Sequence, residues 1–440
     1  MATKFWRPQA GAIPHIVTVT ITGTPVAADT VTVEINNSSL TVTVGTLVAT
    51  TDVANALAAA WSALTATANL VDDESRNVGG AQLPEHSTIT AVAYSNTVVL
   101  TAKVPGVPFV TAVAKVGTVA IAQATTQTAT GPNHADSADN WSGGTLPGAA
   151  DTIVFDAGNV SCLYGLAHFR DATLDLGVRI TGDFLGSIGL PWWNPAGYQE
   201  YRDRFFELYD TLGLRSLDVM AGVNGGTGGT SQVLRFDAQG QVWDEIRVLG
   251  GMGSAASSGA SRLEVHGGSV DLLSVDEGWV VIDPDDAQQT AGMTVDKVVI
   301  GKADGSNVNP RVSIGRLALW AAGDTPLDVL GGLVEIHNVL DPGTAEGLPL
   351  TISGGIVKVL ADGDINSVVV KGGTFIWVGL GTQQATMEVW PGGTVDLAWD
   401  GRLKTYATIN AYRGATFRLG RQLPTITPTG CFLEDINVSR

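Results

Sequence analysis

The chain has 440 residues, of which 15% are charged, and a formal net charge of −18 at pH 7. Such an acidic field repels nucleic acids and anionic lipids, so the composition argues against both as partners. Hydrophobic residues make up 44% of the chain, which is enough for well-packed cores, and the length predicts two or three domains.

The two cysteines, Cys162 and Cys431, lie far apart and lack CxxC spacing, so the sequence predicts free thiols rather than a disulfide scaffold or a zinc site. The first residues contain no apolar segment typical of an export signal. No run of 18 apolar residues occurs anywhere in the sequence. We therefore expect neither Sec-dependent export nor a transmembrane helix.

Residues 16–116 contain short segments in which apolar and polar side chains alternate, a pattern typical of half-buried strands. The predicted strands are 16–22, 30–35, 40–44, 89–94, 97–103 and 109–116. Val53, Leu57, Trp61 and Leu64 share one face of a helix predicted over 51–67. We predict that residues 1–130 form a small β-rich attachment module with one helix.

Residues 131–185 are predicted to be a connector followed by a cap for the next domain. The segment from Asn140 to Gly144 contains Trp141 and leads to the strand Asp151-Thr152-Ile153-Val154-Phe155. This phrase resembles the segments that cap the first coil of adhesin-type and bacteriophage β-helices. A stack of coils needs such a cap because its open end exposes the core.

An aromatic insertion near 189–210 carries the candidate interaction surface, formed by Trp192, Trp193, Tyr198, Tyr201 and Phe205. The helical spacing of the last two with Leu208 predicts a short amphipathic helix or turn. The aromatic side chains could form a sugar-stacking platform or a subunit contact. The alternative is that they fill the seam where the insertion docks on the predicted β-helix.

The second half of the chain repeats one phrase five times: an apolar-x-apolar triplet, a glycine pair and a second such triplet. The glycine pairs are 267–268, 331–332, 354–355, 372–373 and 392–393. A repeat with this short a period predicts a solenoid, and a single-stranded, right-handed parallel β-helix over 186–440 suits it best. Leucine-rich repeats would need an asparagine ladder, and an antiparallel sandwich with glycine turns remains the alternative.

Two groups of carboxylates are candidates for acid and base chemistry. They are Asp283, Asp285 and Asp286, and separately Asp362 and Asp364. The second group begins like a calcium loop, but Ser367 and Gly373 stand where such a loop needs glycine and glutamate. Acidic loop residues are usually just solvated, so the sequence predicts no catalytic, cofactor-binding or metal-binding residue.

A solenoid, no export signal and no evident active site together resemble bacteriophage virion proteins in which a small β-rich module attaches to the particle and a β-helix projects from it. The resemblance implies a non-enzymatic capsid decoration or cement protein in the virion, assembled in the host cytoplasm. It also implies a homotrimer docked on the major capsid protein or another virion protein. The alternatives are a tail spike or fibre that binds host surface polysaccharide, and a bacterial surface adhesin.

Overall fold

The computed structural model describes most of the chain. The described residues are 2–35, 38–64, 84–171, 173–191, 193–194, 197–208, 216–219, 233–238, 242–248, 262–275, 277–282, 293–300, 308–319, 327–340, 348–360, 362, 364–399, 401–422 and 424–439. Within them the fold is mainly β, as predicted.

The first part of the chain contains eight described strands and two helices. The strands are β1 (Thr3–Phe5), β2 (Ile16–Thr22), β3 (Thr30–Ile35), β4 (Ser38–Thr43), β5 (Ile89–Tyr94), β6 (Thr97–Ala102), β7 (Thr111–Val116) and β8 (Ala120–Gln127). The helices are α1 (Thr50–Leu64) and α2 (Pro84–Ser87). Strands β2 to β7 lie close to the predicted segments, and α1 lies where the apolar face predicted a helix.

Strands β2 to β8 form two antiparallel sheets, with strand orders β5-β6-β2-β8 and β4-β3-β7. Their alternate side chains are buried, as Val17, Val19 and Ile21 illustrate in β2. Helix α1 packs on β5, β6 and β2 and contributes Leu57 and Trp61 to the same core. The buried side chains of the strands and those of the helix therefore pack in one hydrophobic core.

The N-terminal residues do not belong to these two sheets, which differs from the predicted boundary of the module at residue 1. Strand β1 pairs in parallel with the first strand after the connector, Thr152–Phe155. Trp6 lies 5.2 Å from Trp141 and 5.8 Å from Phe155 between ring centroids. These three aromatic rings are buried in the core of the parallel strands, and this burial holds the N-terminus against that core.

The rest of the described chain consists mainly of short strands. They are β9 (Thr152–Phe155), β10 (Gly177–Ile180), β11 (Phe206–Glu207), β12 (Ser216–Val219), β13 (Val233–Asp237), β14 (Val242–Val248), β15 (Arg262–His266), β16 (Ser269–Val275), β17 (Glu277–Ile282), β18 (Met293–Ile300), β19 (Val308–Leu319), β20 (Leu327–Val329), β21 (Leu333–Leu340), β22 (Leu348–Ile352), β23 (Ile356–Val359), β24 (Ile365–Val370), β25 (Thr374–Trp377), β26 (Thr382–Val389), β27 (Thr394–Asp396), β28 (Thr405–Ala411), β29 (Thr416–Arg418), β30 (Ile426–Pro428) and β31 (Asn437–Ser439). Short 3₁₀ helices cover Ala138–Asn140, Leu166–Phe169 and Leu433–Asp435.

Parallel pairing links each strand from β10 onward to the strand two positions along the chain. In the last four repeated phrases the first triplets form one column of register partners and the second triplets form another, while Leu263 of the first phrase stacks through Val280 and Val312 onto Val334. The first column runs Leu327, Leu350, Val368, Met387, Ile409 and Ile426. The second runs Val334, Val357, Phe375, Val395, Phe417 and Val438. Most of these side chains are fully buried, so the repeat builds two parallel sheets over a shared core.

Three of the glycine pairs, 331–332, 354–355 and 372–373, stack on one another. Gly355 and Gly373 have φ angles of +73° and +74°, in the left-handed region that favours glycine. A Cβ at Gly355 would lie 2.5 Å from the carbonyl oxygen of Gly332 below it. The corner of one repeat therefore rests on the glycine backbone of the previous one, which explains why the sequence repeats the dipeptide.

Candidate functional site

A buried ion pair organises the aromatic insertion. Arg202 and Glu200 are both buried, and the guanidinium binds the carboxylate through Nε to Oε1 at 2.6 Å and Nη2 to Oε2 at 2.8 Å. Asn194 Nδ2 donates a further hydrogen bond to Glu200 Oε2 at 2.9 Å. Burial opposes both charges, but the pairing outweighs it, so the pKa of Glu200 is lowered and the pKa of Arg202 is raised.

Arg202 also connects the insertion to the antiparallel sheets. Its Nη1 donates to the carbonyl oxygen of Pro108 at 3.2 Å, and its Nη2 donates to the hydroxyl of Tyr198 at 3.3 Å. The guanidinium lies 5.3 Å from the ring centroid of Tyr164 and 5.6 Å from that of Tyr201. One side chain thus contacts groups from three separate segments, and its five donors are directed mainly at protein atoms.

A cavity of about 410 Å³ lies at the seam between the aromatic insertion and the antiparallel sheets. Its walls come from the β5–β6 region, the 104–109 turn and the insertion. They comprise Thr88, Ile89, Ala102, Val104, Val107, Pro108, Phe109, Leu163, Tyr164, Leu190, Pro191, Asn194, Tyr198, Tyr201 and Arg202. Burial raises the pKa of Tyr198 to about 12, so its hydroxyl stays protonated at neutral pH. The cavity combines apolar walls with tyrosine hydroxyls and a charge that is already neutralised, a combination that suits a neutral ligand.

The predicted aromatic surface separates into different environments. Trp193 is half exposed, Tyr198 is buried beside Arg202, and Tyr201 packs partly against the core of the antiparallel sheets. Phe205 is buried against His266, with 3.7 Å between the ring centroids. Trp192 lies outside the described residues. Tyr198 and Tyr201 thus lie between the insertion and the antiparallel sheets, and Phe205 packs on the parallel strands.

The sequence predicts a short helix or turn from Tyr201, Phe205 and Leu208, and residues 201–208 form no helix. The chain bends at 202 and 205 and then forms strand β11, in which Phe206 stacks on Phe169 at 5.0 Å between ring centroids. Phe206 and Leu208 alternate into the larger core. Their burial on a strand outweighs the helical spacing of the neighbouring aromatic residues.

Three neighbouring strands of one sheet place Glu207, Asp237 and His266 side by side as register partners. Arg170 holds Glu207 through two hydrogen bonds, and His266 Nε2 lies 3.6 Å from Asp237 Oδ2. Sequence reasoning missed this row because its members lie far apart along the chain. Glu207 and His266 are buried, so the row offers little surface to a ligand and we assign it a structural role.

The buried imidazole of His266 predicts a loss of stability in mild acid. Burial, helped by the charge of Arg204, lowers the pKa of His266 to about 3 from an ordinary value of 6.5. Below pH 6.5 this imidazole binds a proton in the unfolded chain but stays neutral in the folded chain. The free energy of unfolding therefore falls as the pH falls toward 3. At pH 5 we expect this residue to cost about 2 kcal/mol relative to pH 7.

The measurement compares urea denaturation at pH 7 and pH 5 for the wild type, His266→Phe and the control His168→Phe, which alters an exposed histidine. His266→Phe should shrink the difference between the two pH values, and His168→Phe should leave it unchanged. Equal pH dependence in all three proteins would show that His266 does not titrate in this way.

The carboxylates that are candidates for chemistry have structural partners where they are described. Asp362 Oδ1 accepts a hydrogen bond from the backbone N–H of Leu380 at 2.6 Å, and Asp364 Oδ1 accepts one from Thr382 at 2.8 Å. Each aspartate therefore joins its corner to the next turn of the chain. Asp283, Asp285 and Asp286 lie outside the described residues.

Within the described ranges, no group of three histidine, cysteine or acidic side chains is placed to hold a metal ion. Both cysteines are free thiols. Burial, with a contribution from Asp136, raises the pKa of Cys162, which makes this thiol a poor nucleophile. No helix in the part of the chain that the structure describes is long and apolar enough to cross a membrane.

In comparisons with known proteins, no family model, curated protein or solved structure matches the chain.

Proposed function

We propose that the parallel sheets form a single-stranded, right-handed β-helix that serves as a rigid shaft. The columns of register partners that run from Leu327 and from Val334 support this proposal, as do the stacked glycine corners. In such a stack every coil contacts its neighbours, and its repeated positions are used for packing.

We further propose that the chain is a bacteriophage virion protein, and specifically a capsid decoration or cement protein. The observation that carries the proposal is the buried Arg202–Glu200 pair, which joins the antiparallel module to the start of the parallel stack through Pro108. A small module fixed to a projecting shaft suits attachment to a particle. The module would dock on the major capsid protein or another virion protein, and the chain would act as a homotrimer without enzymatic activity.

The test is immunogold labelling of phage particles with an antibody raised against the chain. Gold distributed over the head is the expected result. Gold at the tail alone would replace the proposal with the tail spike or fibre. Labelling of the bacterial surface, with none on particles, would replace it with the adhesin.

A tail spike that binds host polysaccharide is the second candidate, because the 410 Å³ cavity contains three tyrosines and Trp193 lies half exposed in the same insertion. Aromatic faces bind sugar rings by stacking. Binding to purified host capsule should then weaken in Tyr198→Ala and Trp193→Ala, and persist in Trp399→Ala, which alters an exposed tryptophan in the C-terminal part of the stack. Cleavage of the polysaccharide that is lost in Asp283→Asn or Asp285→Asn would point instead to an enzyme.

A further inference from the structure

The four-stranded sheet has one face covered by α1 and another face that no described element covers. Val17, Val19 and Ile21 of β2 point into the core, so their neighbours Thr18 and Thr20 lie on the other side. Pairing places Val92, Val99, Thr18 and Ala124 in one row across all four strands of this outer face. Val92 and Ala124 are exposed and the central pair is half exposed.

This outer face contains no charged side chain. Strands β2, β5, β6 and β8 include no Asp, Glu, Lys or Arg at any position. Charged residues make up 15% of the whole chain, so about four would be expected in four strands of this combined length. The nearest one along β6 is Lys103, beyond the strand, and its Nζ donates to the carbonyl oxygen of Ser87.

Several hydroxyl groups of this sheet are already bonded within it. The Oγ1 atoms of Thr90, Thr97 and Thr126 donate to the carbonyl oxygens of Thr101, Tyr94 and Ile16. These threonines therefore present less free hydrogen-bonding capacity to water than their composition implies. Tyr94, 61% exposed, adds a large aromatic side chain to the same face.

We propose that this face packs against a second copy of the chain. Two chains that each carry −18 repel one another, so close approach is least costly where the surface bears no charge. The uncharged patch of Thr, Val, Ala and Tyr meets that condition. The proposal is independent of the virion assignment, because it concerns the isolated protein in solution.

The area of this face determines how strongly we expect two copies to associate. Four strands about 4.8 Å apart and about 20 Å long cover roughly 400 Å² on each copy. That is about half of what one partner contributes to a standard interface, so we expect reversible association in the micromolar range. Salt should strengthen it, because screening reduces the long-range repulsion between the two acidic chains.

The experiment is sedimentation equilibrium of the full chain up to about 200 µM, at low and high sodium chloride concentration. The wild type is expected to exceed the monomer mass, and more so at high salt. Val92→Glu and Thr18→Glu each place a carboxylate in the central row and should weaken association at least about tenfold. Thr43→Glu is the matched control, because it alters an exposed threonine of the other antiparallel sheet and adds the same charge.

A monomer at every concentration and salt would overturn the proposal, and so would association that salt weakens. Equal effects of Val92→Glu and Thr43→Glu would also overturn it, since net charge alone would then explain the change. Circular dichroism checks that each variant is folded. Val92 is exposed, so a folded Val92→Glu protein keeps the test valid if Thr18→Glu does not fold.

Discussion

Replacing Arg202 with methionine should lower the free energy of unfolding by about 3–5 kcal/mol. The substitution keeps much of the apolar stem but leaves the buried carboxylate of Glu200 without its charged partner. It also removes the hydrogen bond to Pro108 that ties the insertion to the antiparallel sheets. The change is measured by urea denaturation with tryptophan fluorescence.

Two controls identify the cause of this loss. The double variant Glu200→Gln, Arg202→Met removes both charges and should recover a large part of the stability, because a buried charge costs more when it is unpaired. Arg413→Met removes an arginine that is 80% exposed at its side chain and lies 3.4 Å from Asp435, and should change the stability by at most about 0.5 kcal/mol. A double variant no more stable than Arg202→Met would show that lost packing explains the effect.

Gly373→Ala should destabilise the chain by about 3–5 kcal/mol, because two costs combine at this corner. Alanine is strained at a φ of +74°, and its Cβ would meet the carbonyl oxygen of Gly355. The measurement is again the free energy of unfolding in urea.

Neighbouring glycines separate these two costs. Gly392 has a φ of +84° with nothing within 4 Å of a Cβ, so Gly392→Ala carries only the backbone strain, about 1–2 kcal/mol. At Gly372 a Cβ would lie 2.6 Å from the carbonyl oxygen of Ser353 without a positive φ, so Gly372→Ala isolates the close contact. If Gly373→Ala costs no more than Gly392→Ala, the close stacking of the corners contributes nothing.

The parallel sheets could be predicted because their information is local and repeated. Each strand such as β23 or β25 is an apolar-x-apolar triplet, and the glycine pair before it marks the turn. The same rule predicted β2 and β6, where the alternation continues along the whole strand. One buried face in each case decides both the period and the register.

The seam could not be predicted in the same way, because its contacts join distant segments. The spacing of Tyr201 and Phe205 favoured a helix or turn, while the structure brings the side chains of Glu200 and Arg202 together. Nothing in the sequence around Pro108 marks its carbonyl oxygen as the acceptor for Arg202. The N-terminal strand β1 was missed for a similar reason, since its partner β9 follows only after the whole antiparallel module and the connector.

The columns that begin at Leu327 and Val334 determine where the sequence can gain or lose residues during evolution. Successive members are unevenly spaced along the sequence, yet the triplets stay in register, so the difference in length falls in the segments between the triplets. Insertions or deletions there change the outer contour without moving a single core residue. Parallel sheets built in this way can acquire new surface loops one at a time while the spacing between their strands stays constant.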